Sequence, residues 1–170
     1  MMPWQMPRIR KKEVIMEYKS ILVPFDGSDS SRNALATAHG WAASTPDAKV
    51  TVLYVAAVPD FDSTPFILAE EMSGMGRASE ARFDAMRASY LAFQRAKLES
   101  MVSKQFGSAD GFDLVVEQGK PSKVIAGYAR AHDVDVIVMG SRGLDAVRGT
   151  LGSVSYAVLR NVECPVLIER

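Results

Sequence analysis

Five short apolar runs, separated by segments with helical periodicity, limit the folds that this chain of 170 residues can adopt. The runs are apolar at consecutive positions, which is typical of strands that are buried on both faces. Strands that alternate with helices favour a mostly parallel sheet covered by helices on each side. We therefore predict a three-layer α/β/α fold with a five-stranded, mostly parallel sheet, whose strands cover 20–25, 50–58, 112–116, 134–139 and 165–168.

Four helices are predicted between these strands. The first follows three candidate N-caps, Ser28, Asp29 and Ser30, and ends before Pro46. A long helix is predicted over 79–106, with one apolar stripe that is expected to face the core: Phe83, Met86, Tyr90, Phe93, Leu98, Met101 and Val102. The last two helices are predicted over 121–131, where Pro121 suits the first turn, and over 153–160.

A single domain is expected over 18–170, since its length is that of one domain. Residues 1–17 mix prolines and basic residues without a continuous apolar core, so we expect a disordered extension and no secretory signal. Translation starts at Met1 or at Met16. A variable insertion, rich in proline and glycine, is expected over 59–78, with a helical part around 66–72.

The composition argues against several classes of protein. Twenty basic residues balance twenty acidic residues, so no nucleic-acid partner is predicted. No apolar run approaches the roughly 20 residues of a membrane helix, and no membrane association is predicted. The single cysteine, Cys164, cannot form an internal disulfide, which favours a reducing, cytoplasmic location. His39 and His132 lack metal-ligand spacing, and no nucleophile–base pair is visible, so neither a metal site nor efficient catalysis is predicted.

The loop after the fourth predicted strand is the segment best suited to a ligand. It reads GSRGLDAVRGTLGSVS, with Gly140 and Gly143 at the strand end and Gly152 just before the next helix. Glycines let the backbone turn tightly and approach a ligand closely. In parallel sheets, ligands bind beyond the carboxyl ends of the strands, where the winding reverses. The ends of the first and fourth strands are therefore the candidate site.

The helix that follows Gly152 adds groups that favour an anion. Its first backbone N–H groups have no partner within the helix, and they lie at the positive end of the helix dipole. Ser153 and Ser155 add hydroxyl groups, while Arg142 and Arg148 could offset negative charge. The alternative is a plain strand-to-helix loop in which the glycines serve only as turn residues. The combined pattern favours a phosphate site.

Four segments of the chain resemble universal stress proteins of the A type: ILVPFDGSDSSRNAL, VLYV, GKPSKVIAGYARAHDVDVIVMGSRG and GSVSYAVLRNVECPVLIER. The resemblance covers about residues 18–170. It implies a five-stranded fold of the nucleotide α-hydrolase-like, Rossmann type, and a homodimer formed through the last strand. It also implies ATP, with Mg²⁺, as the ligand of one branch, bound through glycine, two residues, glycine, nine residues, glycine, then serine or threonine.

The resemblance implies a contact for each matching residue. Asp26 would contact adenine, although an aspartate before Gly-Ser is also a common turn former. Val55 would pack on the base. The other implied nucleotide contacts are Pro24 and Phe25 beside the base, Met139 and Gly140 at base and ribose, Gly143 over ribose and phosphates, and Gly152, Ser153, Val154 and Ser155 at the phosphates.

One departure leaves alternatives open. Between Gly143 and Gly152 the chain has eight residues, 144–151, where the ATP-binding pattern has nine. The flexible Gly149 could absorb the deletion. The main prediction is an ATP-binding regulatory or stress-response protein with at most slow ATP hydrolysis. The alternatives are an ATP-independent dimeric interaction module of the same family, and an adenylating enzyme, suggested by a faint likeness of 26–30 to a pyrophosphate-binding loop.

Overall fold

In the computed structural model, one parallel sheet organises the described residues, 18–56, 76–143 and 151–170, with side chains from residue 84 onward in the second range. These ranges contain five strands and four helices. In chain order they are β1 (Ser20–Pro24), α1 (Asp29–Ser44), β2 (Lys49–Ala56), α2 (Gly76–Phe106), β3 (Phe112–Gln118), α3 (Pro121–Ala131), β4 (Val136–Gly140), α4 (Ser153–Leu159) and β5 (Val166–Glu169). The expected tail 1–17, the helical part around 66–72, and Arg148 and Gly149 lie outside the described residues.

The strand order is β3-β2-β1-β4-β5, and every adjacent pair is parallel. The predicted α/β fold with a five-stranded sheet is confirmed. The chain moves outward from β1 to β2 and β3, and then crosses back to β4 on the other side of β1. The winding therefore reverses between β1 and β4, and this is the place where open parallel sheets bind ligands.

The two faces of the sheet carry separate cores. One face packs on α1 and α2, whose buried residues include Leu35, Ala38, Leu98 and Val102. The opposite face packs on α3 and α4, which contribute buried residues including Ile125, Ala129 and Val158. Central strands are covered on both faces, which explains why β1 and β4 read as continuous apolar runs in the sequence. The predicted three layers are thus present.

The predicted apolar stripe of the long helix is only partly buried, and its N-terminal half is a correction to the sequence reading. Leu98 and Val102 are fully buried, but Phe93 is 65% exposed and Met86 is 46% exposed. The reason is the face of the helix on which each residue lies. The buried residues Gln94, Leu98 and Val102 recur every four positions, whereas Phe93 comes five positions before Leu98, which places it about 140° away around the helix axis. Phe93 therefore faces solvent, although Arg95, two residues later, contacts the Leu114 carbonyl of β3.

Local sequence signals explain several element ends. Among the three candidate N-caps of α1, Ser28 takes this position, and its hydroxyl accepts a hydrogen bond from the Ser31 N–H at 3.3 Å. Gly27 precedes it with a φ of 83°, which favours glycine. Pro121 occupies the first turn of α3, which covers the predicted range. At the start of β1, the Asp135 carboxylate accepts the N–H groups of Lys19 and Ser20, both at 2.8 Å.

The two edges of the sheet differ in how their outward backbone groups are used. Lys49 N–H donates to Lys19 and Phe25 N–H donates to Leu53, so odd-numbered residues of β2 face β1 and even-numbered ones face β3. Because Val52 is in register with Leu114, the backbone groups of Leu114 point away from the sheet. The Arg95 guanidinium donates to the Leu114 carbonyl at 2.5 Å. A cation on α2 thus covers part of the β3 edge.

At the opposite edge, β5 presents apolar residues. Ile137 and Ser141 N–H groups donate to the carbonyls of Pro165 and Glu169, so the backbone groups of Val166 and Ile168 point outward. All four residues of β5 are half-buried. Tyr156 and Leu159 of α4 are large apolar residues that are exposed. The last strand of the chain thus forms one edge of the sheet.

None of the helices in the described part of the chain is long and apolar enough to cross a membrane.

Candidate functional site

A cleft of about 500 Å³ lies at the carboxyl ends of β1, β2 and β4, where the winding of the sheet reverses. All twelve residues that the sequence assigned to a nucleotide line it: Pro24, Phe25, Asp26, Val55, Met139, Gly140, Arg142, Gly143, Gly152, Ser153, Val154 and Ser155. Residues separated by up to 131 positions in sequence therefore meet around one cavity. The other lining residues are Ser31, Leu53, Tyr54, Pro121, Ile125 and Leu151.

One wall of the cleft is apolar. Val55 and Met139 belong to, or pack against, the core between the sheet and helices α3 and α4. Leu53 and Ile125, which the sequence did not single out, complete this wall. Ile125 was missed because α3 carries no local ligand signal, and only the sheet topology brings the N-terminal half of this helix over β2. An apolar wall of this kind suits the flat face of an aromatic base.

Asp26 has two roles at the mouth of the cleft. Its Oδ1 accepts a hydrogen bond from the Ser28 N–H at 2.9 Å, which is the turn-forming interaction that its sequence context suggests. Its Oδ2 lies on the side of Gly143, where an added Cβ would approach it to 2.8 Å. Because Asp26 also lines the cleft, its use in the turn leaves the predicted position beside a ligand intact.

Two of the three loop glycines, Gly140 and Gly152, are required by backbone contacts within the protein itself. A Cβ on Gly140 would lie 2.9 Å from the Ser31 nitrogen, because the first turn of α1 packs directly against the end of β4. A Cβ on Gly152 would lie 3.1 Å from the Ser141 carbonyl oxygen. Neither glycine has a positive φ. Close approach of backbone to backbone, and not an unusual backbone conformation, therefore explains the glycines.

The two ends of the predicted phosphate loop are tied together. The Gly152 N–H donates to the Ser141 carbonyl at 2.7 Å, and the Ser141 N–H donates to the Glu169 carbonyl at 2.6 Å. The shortened loop therefore starts and ends at fixed positions, although residues 144–150 lie outside the described residues. The missing residue does not prevent Gly143 and Gly152 from lining the same cleft.

The start of α4 faces the cleft with backbone donors. Gly152 is the N-cap and provides no side-chain cap, and the first helical hydrogen bond runs from the Tyr156 N–H to the Gly152 carbonyl. The N–H groups of Ser153, Val154 and Ser155 precede that bond. The Ser155 hydroxyl, which the sequence suggested as a donor to a ligand, donates instead to the Gly140 carbonyl at 2.9 Å. Ser153 is exposed and lines the cleft.

Tyr54 is a cleft residue that the sequence analysis missed. It precedes Val55 on β2 and packs toward the α1–α2 side of the sheet, whereas Val55 packs toward the α3–α4 side. Partial burial raises the pKa of the Tyr54 phenol above its usual 10.0, and the nearby Tyr90 and Asp26 raise this pKa further. An aromatic residue within the apolar VLYV strand gives no sign in the sequence that it ends at a cleft.

A parallel five-stranded sheet with a cleft at its switch point, bordered by a glycine-flanked loop, defines the chain as a doubly wound α/β protein. The model of the universal stress protein family matches residues 17–170. The chain belongs to the universal stress protein family, as its sequence motifs predicted.

Individual relatives agree with this assignment. A universal stress protein of Thermus aquaticus is 31% identical over 154 residues, which cover 90% of this chain and 99% of that protein. The structure of UspA from Lactobacillus plantarum is 29% identical, with a TM-score of 0.57 over 91% of this chain and 99% of its own. A structure of the protein MJ0577 has a TM-score of 0.66 at 24% identity, covering 90% of this chain and 96% of its own, and shows the same fold.

Two further structures of this fold contain nucleotides. A universal stress protein in complex with cAMP has a TM-score of 0.54 and 23% identity, over 89% of this chain and 96% of its own. A universal stress protein from Archaeoglobus fulgidus in complex with dAMP has a TM-score of 0.52 and 20% identity, over 91% of this chain and 100% of its own.

The packing of Gly140 leads to a stability prediction. We expect Gly140→Ala to lower the free energy of unfolding by about 1–3 kcal/mol, because its Cβ must displace the first turn of α1. Gly127→Ala is the matched control, since no atom lies within 4 Å of its added Cβ on the exposed face of α3. Alanine there should raise stability by about 0.5–1 kcal/mol. Urea unfolding measures both, and equal effects at the two sites would contradict the packing argument.

The Tyr54 phenol leads to a prediction about alkaline pH. Because its folded-state pKa is raised, the stabilisation that it provides is fully present below pH 10 and is lost as the pH rises through the folded-state value. We therefore expect the wild-type protein to lose more stability above pH 10 than the Tyr54→Phe variant does. Between pH 7 and 9, the free energies of unfolding of the two proteins should match. Urea midpoints measured across this range test the prediction, and parallel pH profiles would disprove it.

Proposed function

We propose that the chain binds ATP, with Mg²⁺, in this cleft and acts in the cytoplasm as a nucleotide-dependent regulatory or stress-response protein. The observation that carries the proposal is that one cleft of about 500 Å³ gathers the twelve residues that the sequence assigns to a nucleotide. The presence of cAMP and dAMP in two proteins of the same fold supports an adenine nucleotide.

The division of the cleft into an apolar wall and a polar end fits the two halves of a nucleotide. The apolar wall that includes Val55 and Met139 would take the base. Asp26 would accept a hydrogen bond from the adenine amino group. Its Oδ2, which lies toward Gly143, would be the acceptor, because its Oδ1 already accepts a hydrogen bond from the Ser28 N–H. A carboxylate is a strong acceptor for such a donor.

The phosphates would lie at the start of α4. There the N–H groups of Ser153, Val154 and Ser155 and the hydroxyl of Ser153 would donate, and the positive end of the helix dipole would favour negative charge. Arg142 lines the same cleft. The described residues contain no group of three His, Cys, Asp or Glu side chains that could hold a metal ion. Mg²⁺ would therefore arrive on the phosphates, with water completing its coordination.

Binding without efficient catalysis is the second part of the proposal. The described lining of the cleft contains no histidine, cysteine or lysine, and its one carboxylate, Asp26, accepts a backbone hydrogen bond. Such a lining offers no activated nucleophile or general base for group transfer. Slow hydrolysis of bound ATP is the most that we expect.

The alternative of an adenylating enzyme receives no support from the start of α1. That reading requires the serine-rich turn at 26–30 to receive pyrophosphate. The hydroxyls of Ser28 and Ser30 both donate to the carbonyl of Arg142, at 3.3 and 2.7 Å, and the Ser31 hydroxyl donates to Ser28 at 2.9 Å. The turn is thus engaged with the protein's own backbone.

A homodimer through β5 is the third part of the proposal. The outward backbone groups of Val166 and Ile168 form an edge that can pair with another strand, and their side chains are half-buried in the single chain. The β3 edge is a poorer partner, because the Arg95 guanidinium occupies the Leu114 carbonyl. An ATP-independent dimeric module shares this surface, so nucleotide binding distinguishes the two functions.

The nucleotide proposal predicts a charge-dependent effect at Ser153. As the exposed first residue of α4, Ser153→Asp should leave the fold intact, because acids stabilise helix N-termini. The same charge should weaken ATP binding more than about tenfold by repelling the phosphates, while affinity for uncharged adenosine stays unchanged. Calorimetric titration with Mg-ATP and with adenosine measures both affinities.

Ser153→Asn is the control, because asparagine has nearly the same shape as aspartate but carries no charge.

A second variant tests the phosphate end directly. Gly152→Val, whose side chain would enter the Ser141–Gly152 contact, should abolish ATP binding. Protein that releases no ATP or ADP on denaturation, and that shows no thermal shift in millimolar Mg-ATP, would favour the ATP-independent module.

The dimer proposal predicts a difference between the two sheet edges. Ile168→Pro removes an outward N–H without breaking the β4–β5 ladder, so it should convert a dimer to a monomer. Val116→Pro is the matched change on β3, where the N–H also points outward, and it should leave the dimer intact. Sedimentation velocity reports both masses. A monomeric wild-type protein, or equal effects of the two prolines, would rule out pairing through β5.

A further inference from the structure

The first turn of α1 holds the end of the β4 segment through a hydroxyl group. Ser30 donates from its Oγ to the Arg142 carbonyl at 2.7 Å, and the Ser28 Oγ reaches the same oxygen at 3.3 Å. The two hydroxyls also lie 3.3 Å apart. Ser30 is half-buried and does not line the cleft, whereas Arg142 and Gly143 do. Ser30 thus contacts the backbone of a residue that lines the cleft without lining the cleft itself.

This hydrogen bond fixes the direction of the next backbone donor. The peptide bond between Arg142 and Gly143 is trans, since the described residues contain no cis peptide. In a trans peptide the carbonyl oxygen and the following N–H point in opposite directions. Because the Arg142 oxygen points to Ser30 on α1, the Gly143 N–H points away from Ser30, and Gly143 itself lines the cleft.

Two donors near the phosphate end already bond to the protein's own backbone, so the Gly143 N–H would add to the backbone donors at the start of α4. The Gly152 N–H donates to the Ser141 carbonyl, and the Ser155 hydroxyl donates to the Gly140 carbonyl. A ligand that spans the cleft from Asp26 to α4 passes Gly143, whose Cα lies next to the Asp26 carboxylate. The orientation of the Arg142–Gly143 peptide therefore determines which backbone group faces the middle part of the ligand.

We propose that Ser30 is a positioning residue of the nucleotide site, which aims the Gly143 N–H at the ribose and phosphate part of the ligand by holding the Arg142 carbonyl. This inference rests on the proposed function. Ser30 acts through Arg142 and Gly143 and does not itself touch the ligand. The sequence does not indicate this role of Ser30, because a serine two residues after an N-cap serine is typical of the start of a helix.

The test compares three variants of the full chain by calorimetric titration with Mg-ATP. Ser30→Ala should weaken ATP binding about fivefold, the value that corresponds to one lost hydrogen bond, and Ser30→Thr, which keeps the hydroxyl, should restore it. Ser44→Ala is the matched control, because the Ser44 Oγ donates to the Gly40 carbonyl at 3.1 Å at the far end of the same helix. An affinity of Ser30→Ala equal to that of Ser44→Ala would overturn the proposal.

A second readout separates this inference from the proposed function. In nucleotide-free protein, amide hydrogen exchange in 140–143 should be at least about fivefold faster in Ser30→Ala than in Ser44→Ala, since the segment loses its anchor on α1. Unchanged exchange would overturn the role of Ser30 even if ATP binds. Faster exchange in a chain that binds no ATP would uphold the anchor and reject both the proposed function and the role of Ser30 toward a nucleotide.

Discussion

The close contact between Gly140 and the first turn of α1 is the constraint on which the rest of the site depends. With no side chain at residue 140, the Ser31 nitrogen can approach the end of β4, and the serines of α1 then reach the Arg142 carbonyl. From the same point, Ser141 bonds to β5 through its N–H and to Gly152 through its carbonyl. Four elements, α1, β4, β5 and α4, are thereby fixed to each other within a few residues. The cleft is the space that they leave open.

The fold could be predicted from the sequence because its signals are local and repeated. Each buried strand reads as an apolar run, Ser28 and Pro121 mark helix starts, and alternation of strands and helices leaves few topologies for a parallel sheet. The cleft residues could be named because family motifs occur at the strand ends. What motifs cannot supply is the partner of each group. Ser155 reads as a ligand donor, yet its hydroxyl serves the Gly140 carbonyl.

The remaining misses have a common physical cause, which is tertiary geometry without a local signal. A long helix rich in apolar residues offers more than one possible buried face, so Phe93 was assigned to the core although it is 65% exposed and its neighbour Gln94 is buried. Tyr54 and Ile125 border the cleft only because the crossover topology brings β2 and α3 beside β1 and β4. The glycines were read as room for a ligand, and the structure shows that they first make room for the protein's own backbone.

The unequal edges of the sheet limit the size of any assembly that the chain forms by strand pairing. Two copies joined through β5 around a twofold axis would make one continuous ten-stranded sheet, with β3 at each end. Both ends would then carry the Arg95 guanidinium on the Leu114 carbonyl, so a third copy would have to displace a charged hydrogen bond before it could add a strand. The contact of a single arginine with an edge carbonyl thus favours a closed pair over an open-ended fibre.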